Sequence, residues 1–99
     1  MQFVTAAQGF SAMGSEHRLE VLQSLVRAGE GGLSVGDIQK RTGIAASTLA
    51  HHLKFLASAG LIRSEKRGRS IINTASYDHL RDLAGFILEE CCADAEDVR

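Results

Sequence analysis

Three groups of residues in this chain carry side chains suited to chemistry at a surface. Ser47, Thr48, His51 and Lys54, with His52 beside them, recur at helical spacing; Arg67-Gly68-Arg69 stands in a turn; Cys91 and Cys92 are adjacent near the end. Hydroxyl and imidazole groups hydrogen-bond to base edges, whereas lysine and arginine suit phosphate oxygens, contacts that fix register without reading sequence. Two neighbouring thiols cannot build a disulfide framework. They fit a reducing compartment, where thiols act as ligands or sensors.

Those groups must be held by elements, and hydrophobic spacing predicts which. Over about 46–59, Leu49, Leu53 and Leu56 lie in one narrow sector at about 100° per residue, with Ser47, His51, Lys54 and Ser58 opposite. Ser47, Thr48 and His51 fall in the first turns of that helix, where a major-groove reader makes base contacts, and Lys54 is placed for phosphate. His52 falls nearer the leucine stripe, so its position suits packing or capping as well as DNA contact. Upstream, Ser34-Val35-Gly36-Asp37 matches a capping box and starts a short helix that Gly43 closes. The pair is a helix-turn-helix with its turn at Thr42-Gly43-Ile44-Ala45. Residues 61–66 and 70–75 are strand-like runs joined around Arg67-Gly68-Arg69, a hairpin wing whose Arg67 and Arg69 are assigned to the DNA backbone.

At the chain's two ends, Phe3, Ala7, Phe10 and Met13 predict a first helix that Gly14 stops, with Ser15 as the N-cap of the next. Leu19, Leu22, Leu25 and Val26 predict a second, from Glu16 to the glycines at 29, 31 and 32. A last helix, N-capped by Ser76 and running to about residue 93, puts Leu80, Leu83, Ala84, Ile87, Leu88 and Cys91 on one broad apolar side, with Phe86 outside it. A helix apolar over so much of its circumference packs against two surfaces, and with the first helix it makes a dimer seam. A two-fold dimer sets two reading helices about one DNA turn, roughly 34 Å, apart, matching a palindromic operator. The expected class is mainly α with a small β-hairpin wing: a winged helix-turn-helix in the order α-α-α-α-β-β-α, one domain over 1–99.

Charge follows the same division. The formal net charge is -1, yet residues 40–69 hold seven cations (Lys40, Arg41, Lys54, Arg63, Lys66, Arg67, Arg69) against Glu65 alone, a net of +6. Residues 1–39 carry two cations and four anions, and residues 70–99 carry two and seven, for nets of -2 and -5. An acidic body with one basic stripe holds DNA in one orientation and repels it elsewhere. There is no apolar run of about 18 residues and no signal-peptide pattern, so no membrane partner and a cytoplasmic location are expected. No nucleophile with a base, open metal site or glycine-rich phosphate cradle is evident, so no enzyme activity is expected.

Gly14-Ser15-Glu16-His17-Arg18-Leu19, then Ser47-Thr48-Leu49-Ala50-His51-His52-Leu53-Lys54 with Leu56 and Ala59-Gly60-Leu61-Ile62, then Arg67-Gly68-Arg69, together resemble the ArsR/SmtB family of metalloregulatory winged helices over nearly the whole chain. The resemblance implies a homodimeric repressor, paired through its terminal helices and needing no cofactor. It would leave a double-stranded DNA operator when an inducer, often a thiophilic or transition metal ion, binds. Residues 34–42 contain no cysteine, so the family's commonest arsenite site, on the helix before the reading helix, is absent. Asp78-His79 and Glu89-Glu90 do not match the Asp-x-His and His-x-x-Glu pairs of a zinc site on the last helix. Cys91-Cys92 is similar to the C-terminal vicinal pair of members that sense As(III) or Sb(III), without the third downstream cysteine that those often carry. Soft thiolates suit such ions. Adjacent helical residues point about 100° apart, so one ion takes both sulfurs only where the helix end frays or another group completes the site. A thiol-redox or persulfide switch at the same pair is one alternative, and a winged helix used for protein contacts is the alternative from another class.

Overall fold

Short polar caps decide where two of the helices begin. Ser15, with extended backbone, accepts a hydrogen bond from the Arg18 amide and starts one helix. Ser34 and Asp37 bond reciprocally, Asp37 N to Ser34 Oγ at 3.1 Å and Ser34 N to Asp37 Oδ2 at 3.4 Å, the expected capping box. The computed structural model describes residues 1–95; of the domain expected over 1–99, residues 96–99 lie outside the described residues. The elements run α1 (Phe3–Met13), α2 (Glu16–Ala28), β1 (Leu33–Ser34), α3 (Val35–Thr42), α4 (Ala46–Ser58), β2 (Ile62–Arg67), β3 (Ser70–Ala75) and α5 (Tyr77–Phe86). Val21, Leu22 and Leu25 of α2, Ile38 of α3 and Leu49, Leu53 and Leu56 of α4 meet Leu33, Leu61, Ile62, Ala75 and Leu83 in one core. The fold is mainly helical with a small antiparallel wing, as the sequence predicts.

The sheet has one strand more than expected. Leu33 and Ser34 pair antiparallel with Asn73 and Ile72, giving the order β1-β3-β2. Two residues are too few to show an alternating pattern. Gly32 permits the pairing: at φ 70° it runs so close to β3 that a Cβ there would lie 2.5 Å from the Asn73 carbonyl oxygen.

The terminal helices also depart from expectation. α1 turns Ala6, Gly9 and Ala12 inward, leaves Ala7 exposed and Phe3 83% exposed, and half-buries Phe10 and Met13. Small residues face in because α5 comes close: a Cβ on Gly9 would lie 2.7 Å from Leu83 Cδ1. In α2, Val21 is buried, while Leu19 and Val26 are exposed. α5 ends at Phe86, not near residue 93, and isolated i to i+3 turns follow, from Leu88 N to Gly85 O, Cys91 N to Leu88 O and Ala93 N to Glu90 O. Of its expected apolar side only Leu83 is buried and Leu80 half-buried, so nothing offsets the cost of ordering further turns. Glu89 and Glu90 would also set negative charge at the helix's negative end. Phe86, expected outside the apolar side, meets Phe3 edge to face with centroids 5.3 Å apart. Ser76 makes no side-chain cap.

Candidate nucleic-acid interface

The angle at which α4 leaves α3 is set by three hydrogen bonds. Thr42 Oγ1 donates to Ile38 O at 2.8 Å and accepts from Ile44 N at 3.3 Å, while Gly43 N, its residue left-handed at φ 74°, donates to Gln39 O at 2.7 Å. Ile44 is thereby driven into the core, 8% exposed. Ala45 offers no side-chain cap, so the first amides of α4 keep their hydrogens free for an outside acceptor.

With Leu49, Leu53 and Leu56 buried, Ser47, Thr48, His51 and Lys54 are all exposed on the other side of α4. His52 stands apart from them. It is half-buried, both its ring nitrogens are shut from solvent without a partner, and it stacks on His17 of α2 with centroids 5.9 Å apart. Desolvation first, then the neighbouring Arg18, His17 and His51, holds its pKa below the ordinary 6.5. A neutral, enclosed imidazole packs; it does not present charge to a phosphate.

In the wing, Arg67 pairs with Ser70 across the hairpin, leaving Gly68 and Arg69 as a two-residue loop. Gly68, at φ 63°, supplies the left-handed first position such a loop requires. The two arginines differ in what they hold. Arg67 donates through Nε and Nη2 to Glu65 Oε1 at 3.2 and 3.0 Å and through Nη1 to Gly31 O at 3.2 Å, tying the wing to the loop before β1. Arg69 is exposed at the tip and makes no ion pair among the described residues. Arg63 and Lys66 add two more exposed cations to β2.

One residue of this region carries no signal in spacing or composition. Arg18 donates through Nε to Ala12 O and through Nη2 to Ser11 O at 3.5 Å, and its guanidinium carbon lies 4.8 Å from the centroid of Phe55 on α4.

Cys91 and Cys92 are free and exposed, with Sγ atoms 3.4 Å apart. They lie beyond α5, and Cys92 has left-handed backbone at φ 65°, so the divergence of adjacent helical side chains does not apply. Cys91 borders a groove with Met1, Phe3, Phe86, Ile87, Glu89 and Glu90. Among the described residues no cluster of three or more His, Cys, Asp or Glu is arranged to hold a metal ion. No helix there is long and apolar enough to cross a membrane. Chemically, this surface can hydrogen-bond to base edges from one exposed helix face and neutralise phosphates from the hairpin loop, while a soft dithiol lies beyond α5.

Residues 13–65 match the family described as "Helix-turn-helix domain". The chain is 34% identical over 87 residues to the arsenical resistance operon repressor of Bacillus subtilis, spanning 86% of this chain and 76% of that one. It is 34% identical over 72 residues to the transcriptional activator HlyU of Vibrio cholerae, spanning 73% and 64%. Among solved structures, an ArsR-like transcriptional regulator from Rhodococcus sp. RHA1 superposes with a TM-score of 0.79 at 30% identity, over 93% of this chain and 83% of that one.

Proposed function

The chain belongs to the ArsR family of DNA-binding winged helix-turn-helix transcriptional regulators, and from that premise we propose a homodimeric repressor of one domain. It acts in the cytoplasm on a palindromic operator, and its inducer is As(III) or Sb(III) held by Cys91 and Cys92. Ser47, Thr48 and His51 read bases, Lys54, Arg67 and Arg69 hold phosphates, and His52 supports His51 from behind. The observation that carries this reading is the division of α4: three leucines buried, and every residue assigned to direct contact exposed. Repression, as opposed to activation, follows the Bacillus relative, of which this chain spans the larger share.

The dimer rests on apolar side chains at the two ends of the chain that a lone protomer leaves in water: Met1, Phe3, Val4, Ile87 and Leu88, 45 to 83% exposed. A patch of that kind is covered by a partner more often than left wet. Cys91 shares a groove with three of those residues, so what happens at the thiols bears on the seam. A ligand weakens DNA binding only by favouring the arrangement of protomers that binds DNA less well. Two exposed sulfurs 3.4 Å apart suit a thiophilic ion. With no third ligand cluster among the described residues, the same pair also favours a second reading, a thiol-redox or persulfide switch.

The test is a gel-shift series on the DNA upstream of the gene, at two salt concentrations, with arsenite, antimonite, zinc or an oxidant. Salt-dependent binding, released by arsenite or antimonite in the native protein and retained in the C91S/C92S variant, is the expected result. Release by oxidant alone moves the assignment to the redox switch, and release that persists without the cysteines excludes the pair. Indifference to every duplex at low salt would overturn the DNA-binding assignments as a whole.

A further inference from the structure

We propose that Arg18 is a positioning residue for DNA reading: acting through Phe55, it fixes His51, and it ties that setting to the end of α1. The inference rests on the proposed base-reading role of His51. Arg18 leaves the first turn of α2 and reaches back to α1, where its guanidinium donates to the carbonyls of Ala12 and Ser11. Ser11 O also accepts from the Gly14 amide at 3.2 Å, but α1 carries no basic residue in its last turn, so Arg18 supplies the cation that its negative end lacks. The same planar group covers the Phe55 ring at 4.8 Å, a cation–π contact.

Phe55 is not a core residue. It is 46% exposed, and one turn before it on α4 stands His51, packed against it edge to face with centroids 5.3 Å apart. An exposed imidazole on a helix is otherwise free to change rotamer, and ordering it on DNA costs entropy. Braced by a ring that is itself clamped, His51 meets the groove already set, which strengthens discrimination by preorganisation. Lysine could not replace Arg18, since an ammonium cannot stack flat on the ring while forking to two carbonyls. α1 in turn rides on Leu83 of α5 through Gly9. α1 also packs directly on α4, and Arg18 adds a polar contact through which a shift of the terminal helices can reach a base-reading side chain.

Contiguity is not coupling, so the test is a mutant cycle. The full chain and its H51A, R18A, R18K, F55L and R18A/H51A variants select from a duplex pool randomised over about 20 base pairs, two half-sites one turn apart. H51A is expected to relax preference roughly tenfold at one base pair of each half-site. R18A and F55L should relax that same base pair and no other, R18K should not restore it, and R18A should add nothing to H51A. In the DNA-free protein the His51 ring-proton resonances should move in R18A and F55L, as they lose the fixed Phe55 ring. Should R18A fail to fold, F55L, which keeps the bonds to α1, decides by the same two readouts. Wild-type preference in both R18A and F55L at the base pair that H51A relaxes would overturn the inference, as would a double variant that loses more than H51A. An unchanged profile in H51A itself would instead remove the base-reading role on which the inference stands.

Discussion

His51 and His52 are adjacent, yet one helical step gives them opposite surroundings. His51 faces solvent on the reading side, while His52 is turned under it against His17 and near Arg18. A proton on His52 would be closed off from water and would then sit among Arg18, His17 and His51, which is why its folded pKa lies below 6.5. Glu20, 3.8 Å from His17, is the one anion paired with this group among the described residues. Above about pH 6.5 both folded and unfolded chains hold His52 neutral and nothing is lost; as pH falls from there through the lower folded value, the unfolded chain binds the proton first. The thermal midpoint is therefore expected to drop on acidification from neutral pH, and His52→Gln to flatten that drop; an equally steep drop in the variant would place the sensitivity elsewhere. The two wing arginines separate in the same manner. Arg69→Ala is expected to weaken binding to all sequences and lower the salt slope by about 1. Arg67 is partly neutralised by Glu65, an exposed pair worth only about 0–1 kcal/mol, so Arg67→Ala should lower the slope less, read from affinity across a salt series.

At the scale of elements, α1 lies close against α5, and the approach depends on one missing side chain. A Cβ on Gly9 would lie 2.7 and 2.9 Å from the two methyls of Leu83, which is 1% exposed. Gly9→Ala gains about 1 kcal/mol of helix propensity and loses about 1–3 kcal/mol to overpacking. The balance favours a loss, seen as a lower denaturant midpoint, and trimming Leu83 to alanine in the same chain should make the Gly9→Ala change neutral or better. This contact also shows what a sequence withholds. Periodicity weighs large apolar side chains, so it found the leucine stripe of α4, while the caps at Ser15 and Ser34 were legible because their chemistry is local. It marked Phe3, Ala7, Phe10 and Met13 in α1 and passed over the inner face, Ala6, Gly9 and Ala12, whose small size has meaning only once α5 is in place. It carried α5 too far because Ile87, Leu88 and Cys91 continue a pattern that no surface of the same protomer covers. Of the reading surface, exposure of Ser47, Thr48, His51 and Lys54 was legible from helix geometry; the engagement of Arg67 and the reach of Arg18 depend on partners 36 and 6 residues away.

The whole molecule is long for its size: its radius of gyration is 15.8 Å, against about 13 Å for a compact domain of about 100 residues. A chain this short buries only about two-thirds of its unfolded surface, so leaving Phe3, Val4, Ile87 and Leu88 in water costs it stability it can recover from a second copy. The acidic stretches, net -2 and -5, flank the basic one, so two copies joined at their ends would keep both cationic surfaces turned to one duplex. Phe3→Ser with Ile87→Ser removes two of the exposed apolar groups while leaving Leu83, Gly9 and the reading helix intact. The variant is expected to sediment as a monomer at concentrations where the native chain is dimeric, and its thermal midpoint should no longer rise with protein concentration. Its DNA affinity should fall well beyond tenfold, because each half-site then binds without the effective concentration that the joined partner supplies. A variant that stays dimeric and binds as tightly as the native chain would move the seam to another face of the protomer.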